Sequence, residues 1–204
     1  MQNMRHEKTN KTMKIIEQLN HIGTDQRIAM LIRHSDRDKI PEGEFGNDVL
    51  LNEKGILNAL KMGNELSNFN IRKIYTSPVK RCIQTADSIK KGYGKEIQII
   101  ESDLLGNPGA YISEGKDVGV FFMKYGVFKI HEMLLNGIEI AGMNGLEAGS
   151  QKLFDFMNRN SNDKELTLYI THDSLVAFFD SYFNHTKYNK DKWPAYLDGV
   201  VLTF

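Results

Sequence analysis

Apolar positions along this chain alternate between two patterns. Ile15, Ile16, Leu19 and Ile22 recur at helical spacing and predict an amphipathic helix from about Thr9 to His21. RIAMLIR (27–33) is then a short continuous apolar run, the pattern of a strand buried on both faces. A loop rich in Asp, Gly and Pro, from His34 to Val49, leads into LNEKGILNALKMGNELSNF, a predicted helix with Asn52 as its N-cap. IRKIYTS (71–77) reads as a second strand and KEIQIIES (95–102) as a third. Between them a helix is expected over about Val79 to Lys91, with Pro78 suited to its first turn.

The rhythm breaks between Asp103 and Gly149. GNPGAYISEG reads as a loop, a helix is predicted over about Asp117 to Leu135, and GIEIAGMNG follows. This stretch is expected to be a cap insertion (103–149) over the sheet of a single domain spanning 1–204. A helix over 148–159, the strand ELTLYIT (165–171), a helix from Ser174 to Phe183 and a last strand GVVLTF (199–204) resume the alternation. GIEI and the last strand are candidates to pair at a sheet edge. Strands alternating with helices through right-handed crossovers predict a three-layer α/β/α sandwich with a mostly parallel central sheet.

Charge narrows the partners. The 26 Lys and Arg balance the 26 Asp and Glu, so no overall field draws the protein to nucleic acid or an anionic membrane. Any anion site must be local. Cys82 is the single cysteine, which excludes an internal disulfide. No stretch approaches the roughly 18 apolar residues of a membrane span, and the N-terminal residues lack the apolar core of a signal peptide. A cytoplasmic protein without nucleic-acid or membrane partners is expected. Removal of an earlier leader stays open, as does the oligomeric state.

In open α/β sheets ligands bind beyond the carboxyl ends of the strands. There the chain places Arg33-His34-Ser35-Asp36-Arg37, then Thr76-Ser77-Pro78 with Arg81 one turn on, then Thr171-His172-Asp173. Three arginines and two histidines converging on one pocket suit a phosphomonoester, whose charge and oxygens match planar guanidinium donors. Helix N-termini near Pro78 and Ser174 would aim backbone donors at the same place. Neither a P-loop nor a GxGxxG motif occurs.

These residues resemble the histidine phosphatase superfamily, with its phosphoglycerate mutase-like fold. LIRHSDR is similar to its strand followed by Arg-His-Gly, and LNEKG to its Leu-Thr-x-x-Gly element. YTSPVKRCIQTA is similar to its Thr-Ser-x-x-x-Arg-x-x-x-Thr-Ala block, and LYITHDS to its second-histidine strand. The blocks run in order over about Ile28 to Asp180. His172-Asp173 and WPAYLDGVVLTF resemble the acid-phosphatase branch, in which that Asp is the general acid. The mutase-like branch takes a Glu from the loop after the third strand, where this chain has Asn107.

The resemblance implies a phosphomonoester hydrolase that needs no metal or other cofactor and acts on a small phosphorylated substrate. His34 would attack phosphorus to give a phosphohistidine. Arg33, Arg37, Arg81 and His172 would hold the phosphoryl oxygens, and Asp173 would protonate the leaving alkoxide and then take a proton from water. A phosphomutase of the same superfamily and a catalytically degenerate phosphate-binding module are the alternatives. Ser35 stands where the family has Gly, and a left-handed backbone there would cost about 1 kcal/mol or more.

Several residues carry plainer readings beside these. Asp173 also suits the N-cap of the following helix, and Glu101 and Asp103 are rival acids near the third strand. Thr76 and Ser77 suit a strand-to-helix turn, and Glu53 the first turn of its helix. His6, His21, His131 and His185 lack metal-ligand spacing and read as surface or packing residues. Cys82 reads as a buried small hydrophobe. Phe121, Phe122, Met123, Tyr125 and Phe128 read as packing residues of the insertion helix, with one or two at the substrate mouth.

Overall fold

The computed structural model describes residues 10–44, 46–114 and 118–204. The two strands with continuous apolar runs lie in the middle of the sheet. β1 (Ile28–Arg33) and β4 (Leu166–Thr171) pair in parallel, from Ile28 opposite Leu166 to Arg33 opposite Thr171. β2 (Lys73–Thr76) lies parallel to β4 on its other side, and β3 (Gln98–Glu101) lies parallel to β2. β5 (Gly199–Thr203) runs antiparallel along β1, so the order is β3-β2-β4-β1-β5. The fold is α/β with a mixed, mostly parallel sheet.

Successive side chains of a strand point to opposite faces, and here both faces meet helices. Ile28, Met30 and Ile32 of β1 enter one core with Leu166, Leu168 and Ile170 of β4. Leu19 of α1 (Asn10–Asn20), Met62 of α2 (Glu53–Glu65) and Ile89 of α3 (Lys80–Tyr93) close it. Ala29, Leu31 and Tyr169 enter the opposite core. It is closed by Ile130 of α4 (Val118–Leu135), Leu153 of α5 (Leu146–Asn160) and Phe178 of α6 (Asp173–Phe183). Burial on both sides explains why β1 reads as a continuous apolar run and why the Thr and Tyr residues that alternate along β4 are buried as well.

Some boundaries differ from the sequence reading. Thr9 and Asp117, the expected starts of two helices, lie outside the described residues. Pro78 does not enter a helix: Ser77-Pro78 makes the turn, and α3 begins at Lys80 with Val79 in the cap position. α4 is broken at Gly126, whose φ of 72° and ψ of 159° depart from the helix. α5 starts at Leu146, two residues early. GIEI forms no strand. Gly137, with φ of 68°, turns the chain after α4, and Ile140 drops into the second core while β5 takes β1 as its partner. Among the described residues no helix is long and apolar enough to cross a membrane.

One packing detail positions the loop after β1. Asn52 caps α2 by accepting the Gly55 N–H at 2.9 Å, as its sequence position predicts. The Asp36 carboxylate takes Lys54 Nζ at 2.6 Å and Asn58 Nδ2 at 3.0 Å, while its carbonyl accepts Asn52 N–H at 3.2 Å. Gly55 is pressed against this loop, so that a Cβ there would lie 2.0 Å from the Asp36 carbonyl oxygen. Gly55→Ala should therefore push α2 off the loop and cost about 1–3 kcal/mol. Denaturant unfolding is expected to show a lower midpoint with an unchanged slope.

Candidate active site

His34 extends the central strand pairing by one rung, donating its backbone N–H to the Thr171 carbonyl at 2.9 Å. Since Arg33 faces Thr171, the next residues of both strands, His34 and His172, emerge together, with ring centroids 5.6 Å apart. His34 is almost fully buried, at 2% exposure. Its Nδ1 lies 2.8 Å from the Ser35 carbonyl oxygen. A carbonyl only accepts, so Nδ1 carries the hydrogen and Nε2 the lone pair.

Arg81 ties the two rings together. Its Nε donates to His34 Nε2 at 3.0 Å, one terminal nitrogen to His172 Nδ1 at 3.1 Å and the other to the Gly46 carbonyl at 2.6 Å. With Nδ1 accepting, His172 carries its hydrogen on Nε2, 3.1 Å from Ser77 Oγ, and that hydroxyl in turn donates to the Gly106 carbonyl at 3.1 Å. Burial, helped by the charge of Arg81, lowers the His172 pKa to about 3. Burial also holds His34 well below the usual histidine value, with His172, Arg81 and Arg33 acting in the same direction. Both imidazoles are neutral at physiological pH.

The other two arginines sit around this pair. Arg33 donates to the Pro194 carbonyl at 2.7 Å, lies 3.3 Å from the Asp173 carboxylate and stacks 4.0 Å over the Tyr196 ring. Arg37 donates to the Asp38 carbonyl at 2.8 Å, and its charge is felt at both Arg81 and His172. The Nε atoms of Arg33 and Arg37 are buried without a hydrogen-bond partner. Buried donors of this kind are rare in folded proteins and mark a place where an acceptor belongs. Asp173 Oδ1 takes the Ser174 N–H at 2.9 Å. Asp173 is the first residue of α6, and His172, not Asp173, occupies the cap position.

Ser35 behaves differently from the expectation of strain. It does not adopt a left-handed φ. Its backbone N–H donates to Thr85 Oγ1 at 3.0 Å and its hydroxyl to the Gly55 carbonyl at 2.7 Å. The side chain thus fastens the loop after β1 to α2.

The remaining candidates separate cleanly. A cleft of about 170 Å³ is lined by Arg81 and His172 together with Asn107 and Phe122; Arg33, His34, Arg37 and Asp173 are not among its lining residues, nor are Glu101 and Asp103. Thr76 Oγ1 donates to the Ser77 carbonyl at 3.1 Å and belongs to the turn. Glu53 lies in the first turn of α2. Cys82 is buried beneath the site, and burial pushes its thiol up to about 12. His131 packs inside, its Nε2 2.9 Å from Ser181 Oγ and its ring stacked on Phe178. His21 and His185 are exposed, and His6 lies outside the described residues.

Three participants escaped the sequence reading. Gly106, with φ of 132°, lies so close to the second histidine that a Cβ would come within 2.4 Å of His172 Cδ2. Its signal was the GNPG turn after the third strand. Thr85 holds the Ser35 amide while donating to the Arg81 carbonyl at 2.7 Å. Tyr196, 5.7 Å from the His34 ring, backs Arg33.

Residues 29–105 match the family described as Histidine phosphatase superfamily (branch 1). The matched span contains Arg33, His34, Arg37, Gly55 and Arg81. His172 and Asp173, and with them the likeness to the acid-phosphatase branch, fall outside it. A 2,3-bisphosphoglycerate-dependent phosphoglycerate mutase from Thermoplasma acidophilum is 34% identical over 74 residues, 35% of this chain and 37% of the mutase. The chain thus spans little more than a third of that relative's length.

Among solved structures, Bacillus stearothermophilus YhfR superposes with a TM-score of 0.54 at 20% identity, over 84% of this chain and 87% of that one. Phosphoglycerate mutase from Bacillus anthracis str. Sterne gives 0.53 at 16% identity, over 81% and 84%. Mycobacterial glucosyl-3-phosphoglycerate phosphatase gives 0.53 at 14% identity, over 79% and 81%. At these identities the structures share a fold. The family match covers residues 29–105, and over the rest of the chain the likeness to phosphoglycerate mutase-like structures is one of fold.

The neutral histidines set a sign for acid stability. In the unfolded chain His172 titrates near 6.5, whereas the folded protein refuses that proton until pH falls to about 3. Stability at this position is complete above pH 6.5 and declines as pH drops. Thermal melts of wild type and His172→Gln between pH 7 and 5 should therefore converge or cross in favour of the variant on acidification. A melting-temperature difference independent of pH would contradict the neutral assignment.

Proposed function

We propose that this protein is a metal-independent phosphomonoester hydrolase working through a phosphohistidine at His34. The observation that supports it most directly is the His34 ring itself. Its Nδ1 is held by the Ser35 carbonyl, which leaves the Nε2 lone pair directed at Arg81. A neutral, oriented imidazole is the form that attacks phosphorus. For a phosphoryl group to reach Nε2, Arg81 must pass its N–H from the imidazole to a phosphoryl oxygen, and the unpartnered Nε atoms of Arg33 and Arg37 supply further donors. Three guanidinium groups then stabilise the charge of the transition state.

In this reading His172 holds a phosphoryl oxygen beside His34. Asp173, next in the chain and 3.3 Å from Arg33, protonates the leaving alkoxide and then takes a proton from the attacking water. The substrate is a small phosphorylated molecule in the cytoplasm, and segment 103–149 caps the site within a single domain. A phosphomutase reading has one observation in its favour, the 34% identity over 74 residues with a phosphoglycerate mutase. It calls for a phosphohistidine shielded from water and isomerisation of a phosphoglycerate.

Hydrolysis of p-nitrophenyl phosphate with chelator present is the test. His34→Ala should abolish turnover, and chelator should leave it unchanged. Because His34 is held below its usual value, the acid limb of kcat/KM is expected below pH 6.5. Asp173→Asn should slow alkyl phosphates by about 10²- to 10⁴-fold while sparing the activated aryl ester. Phosphate binding without turnover would instead point to a binding module, and phosphoglycerate isomerisation exceeding hydrolysis to a mutase.

A further inference from the structure

The cleft that holds Arg81 and His172 continues into a wall of a different character. Ile112, Phe122 and Met143 stand half-buried along it, Leu175 and Phe178 are buried beneath, and Pro108 closes one side. Asn47, Asn107 and Ser174 supply its uncharged polar groups. Among the described lining residues the only charged group at neutral pH is Arg81, which in the proposed reaction is engaged at the phosphoryl end, while His172 is neutral. Tyr111 also lines the cleft, but burial raises its hydroxyl pKa and Ser150 takes it at 2.8 Å.

We propose that this wall is a leaving-group subsite for a small, uncharged, ring-bearing alcohol, so that the preferred substrates are neutral aryl or cyclic phosphomonoesters. The proposal rests on the phosphohydrolase reading of the same site and specifies what that reading leaves open. Charge argues first. A carboxylate on the leaving group, as in a phosphoglycerate, would be desolvated among Phe122, Met143 and Leu175, and among the described lining residues the one cation, Arg81, is already committed to the phosphoryl oxygens.

Size argues next. The cleft, its Arg81 and His172 end included, has a volume of about 170 Å³, comparable with the roughly 150 Å³ of a cavity that accepts benzene, so it has room for one ring or a short branched chain. Chemistry agrees, because Phe122, Phe178 and Met143 offer the ring-edge and thioether contacts that aromatic groups favour. The wall is also preorganised. Ile112 and Met143 form a β-bridge, and the Asn144 N–H donates to the Tyr111 carbonyl at 2.9 Å.

Binding and turnover test this separately. Phosphonates are not hydrolysed, so titration calorimetry with phenylphosphonate, 4-carboxyphenylphosphonate and inorganic phosphate reads the subsite even in a protein with no turnover. Phenylphosphonate should bind about tenfold or more tightly than either of the others, the scale of discrimination an apolar pocket achieves. Phe122→Ala should erase most of that advantage while the protein still binds inorganic phosphate. Equal affinity for phenylphosphonate and phosphate, or tighter binding of the carboxylated ligand, would overturn the subsite.

In kinetics, phenyl and 4-carboxyphenyl phosphate have leaving groups of similar acidity, and the neutral ester should show a kcat/KM about tenfold or more higher. An equal kcat/KM for the two would overturn the subsite while leaving the hydrolase intact. Loss of all turnover with the phosphonate preference retained would overturn the hydrolase and leave the subsite standing.

Discussion

The parallel pairing of β1 with β4 is the constraint on which the site depends. Six residue pairs fix the register and end with Arg33 opposite Thr171. The two histidines that follow then share one edge without any further device. A slip by a single residue would send every side chain of one strand to the opposite face. Both faces here are close-packed, with Met30 and Ile32 in one core and Leu31 and Tyr169 in the other. The apolar content of the two strands therefore secures the geometry of the candidate site as much as the fold.

Around that edge, the site gathers positive charge while keeping its imidazoles neutral. Burial keeps the histidines unprotonated, and the guanidinium groups, which cannot give up their charge, reinforce the effect. The same low-dielectric setting that suppresses imidazolium strengthens the attraction of the arginines for an anion. One carboxylate, Asp173, offsets Arg33, and Asp36 is occupied by Lys54 and Asn58 at the far side of the loop. The balance of fixed charge is left in favour of an anion.

Much of this was legible in the residues. Strand and helix periodicity gave the α/β class, and the position of Arg33, His34, His172 and Arg81 after strands or at a helix start gave the core of the site. What stayed hidden depends on distances that no pattern encodes. Gly106 matters because its Cα rests on the His172 ring, and Tyr196 because the chain returns beside β1 to place it over Arg33. Ser35 was misjudged for a related reason. Its likeness to a family glycine suggested strain, whereas the conformation is ordinary and the hydroxyl has found the Gly55 carbonyl. The 137–140 segment was read as strand-like from its isoleucines, but the turn at Gly137 and the burial of Ile140 decide it.

The break in α4 at Gly126 separates two mutational regimes. After it, Ile130 and Leu134 are almost wholly buried and carry the helix's share of the core. Before it, Val120, Met123 and Tyr125 are 63%, 49% and 41% exposed. Substitutions at these three exposed positions exchange little buried area and cost little folding free energy, whereas Val118 is buried, at 4% exposure, and the half-buried Phe121 and Phe122 pack against the second core. The exposed positions upstream of that glycine can therefore change independently of the scaffold, whereas Ile130 and Leu134 downstream are bound to it.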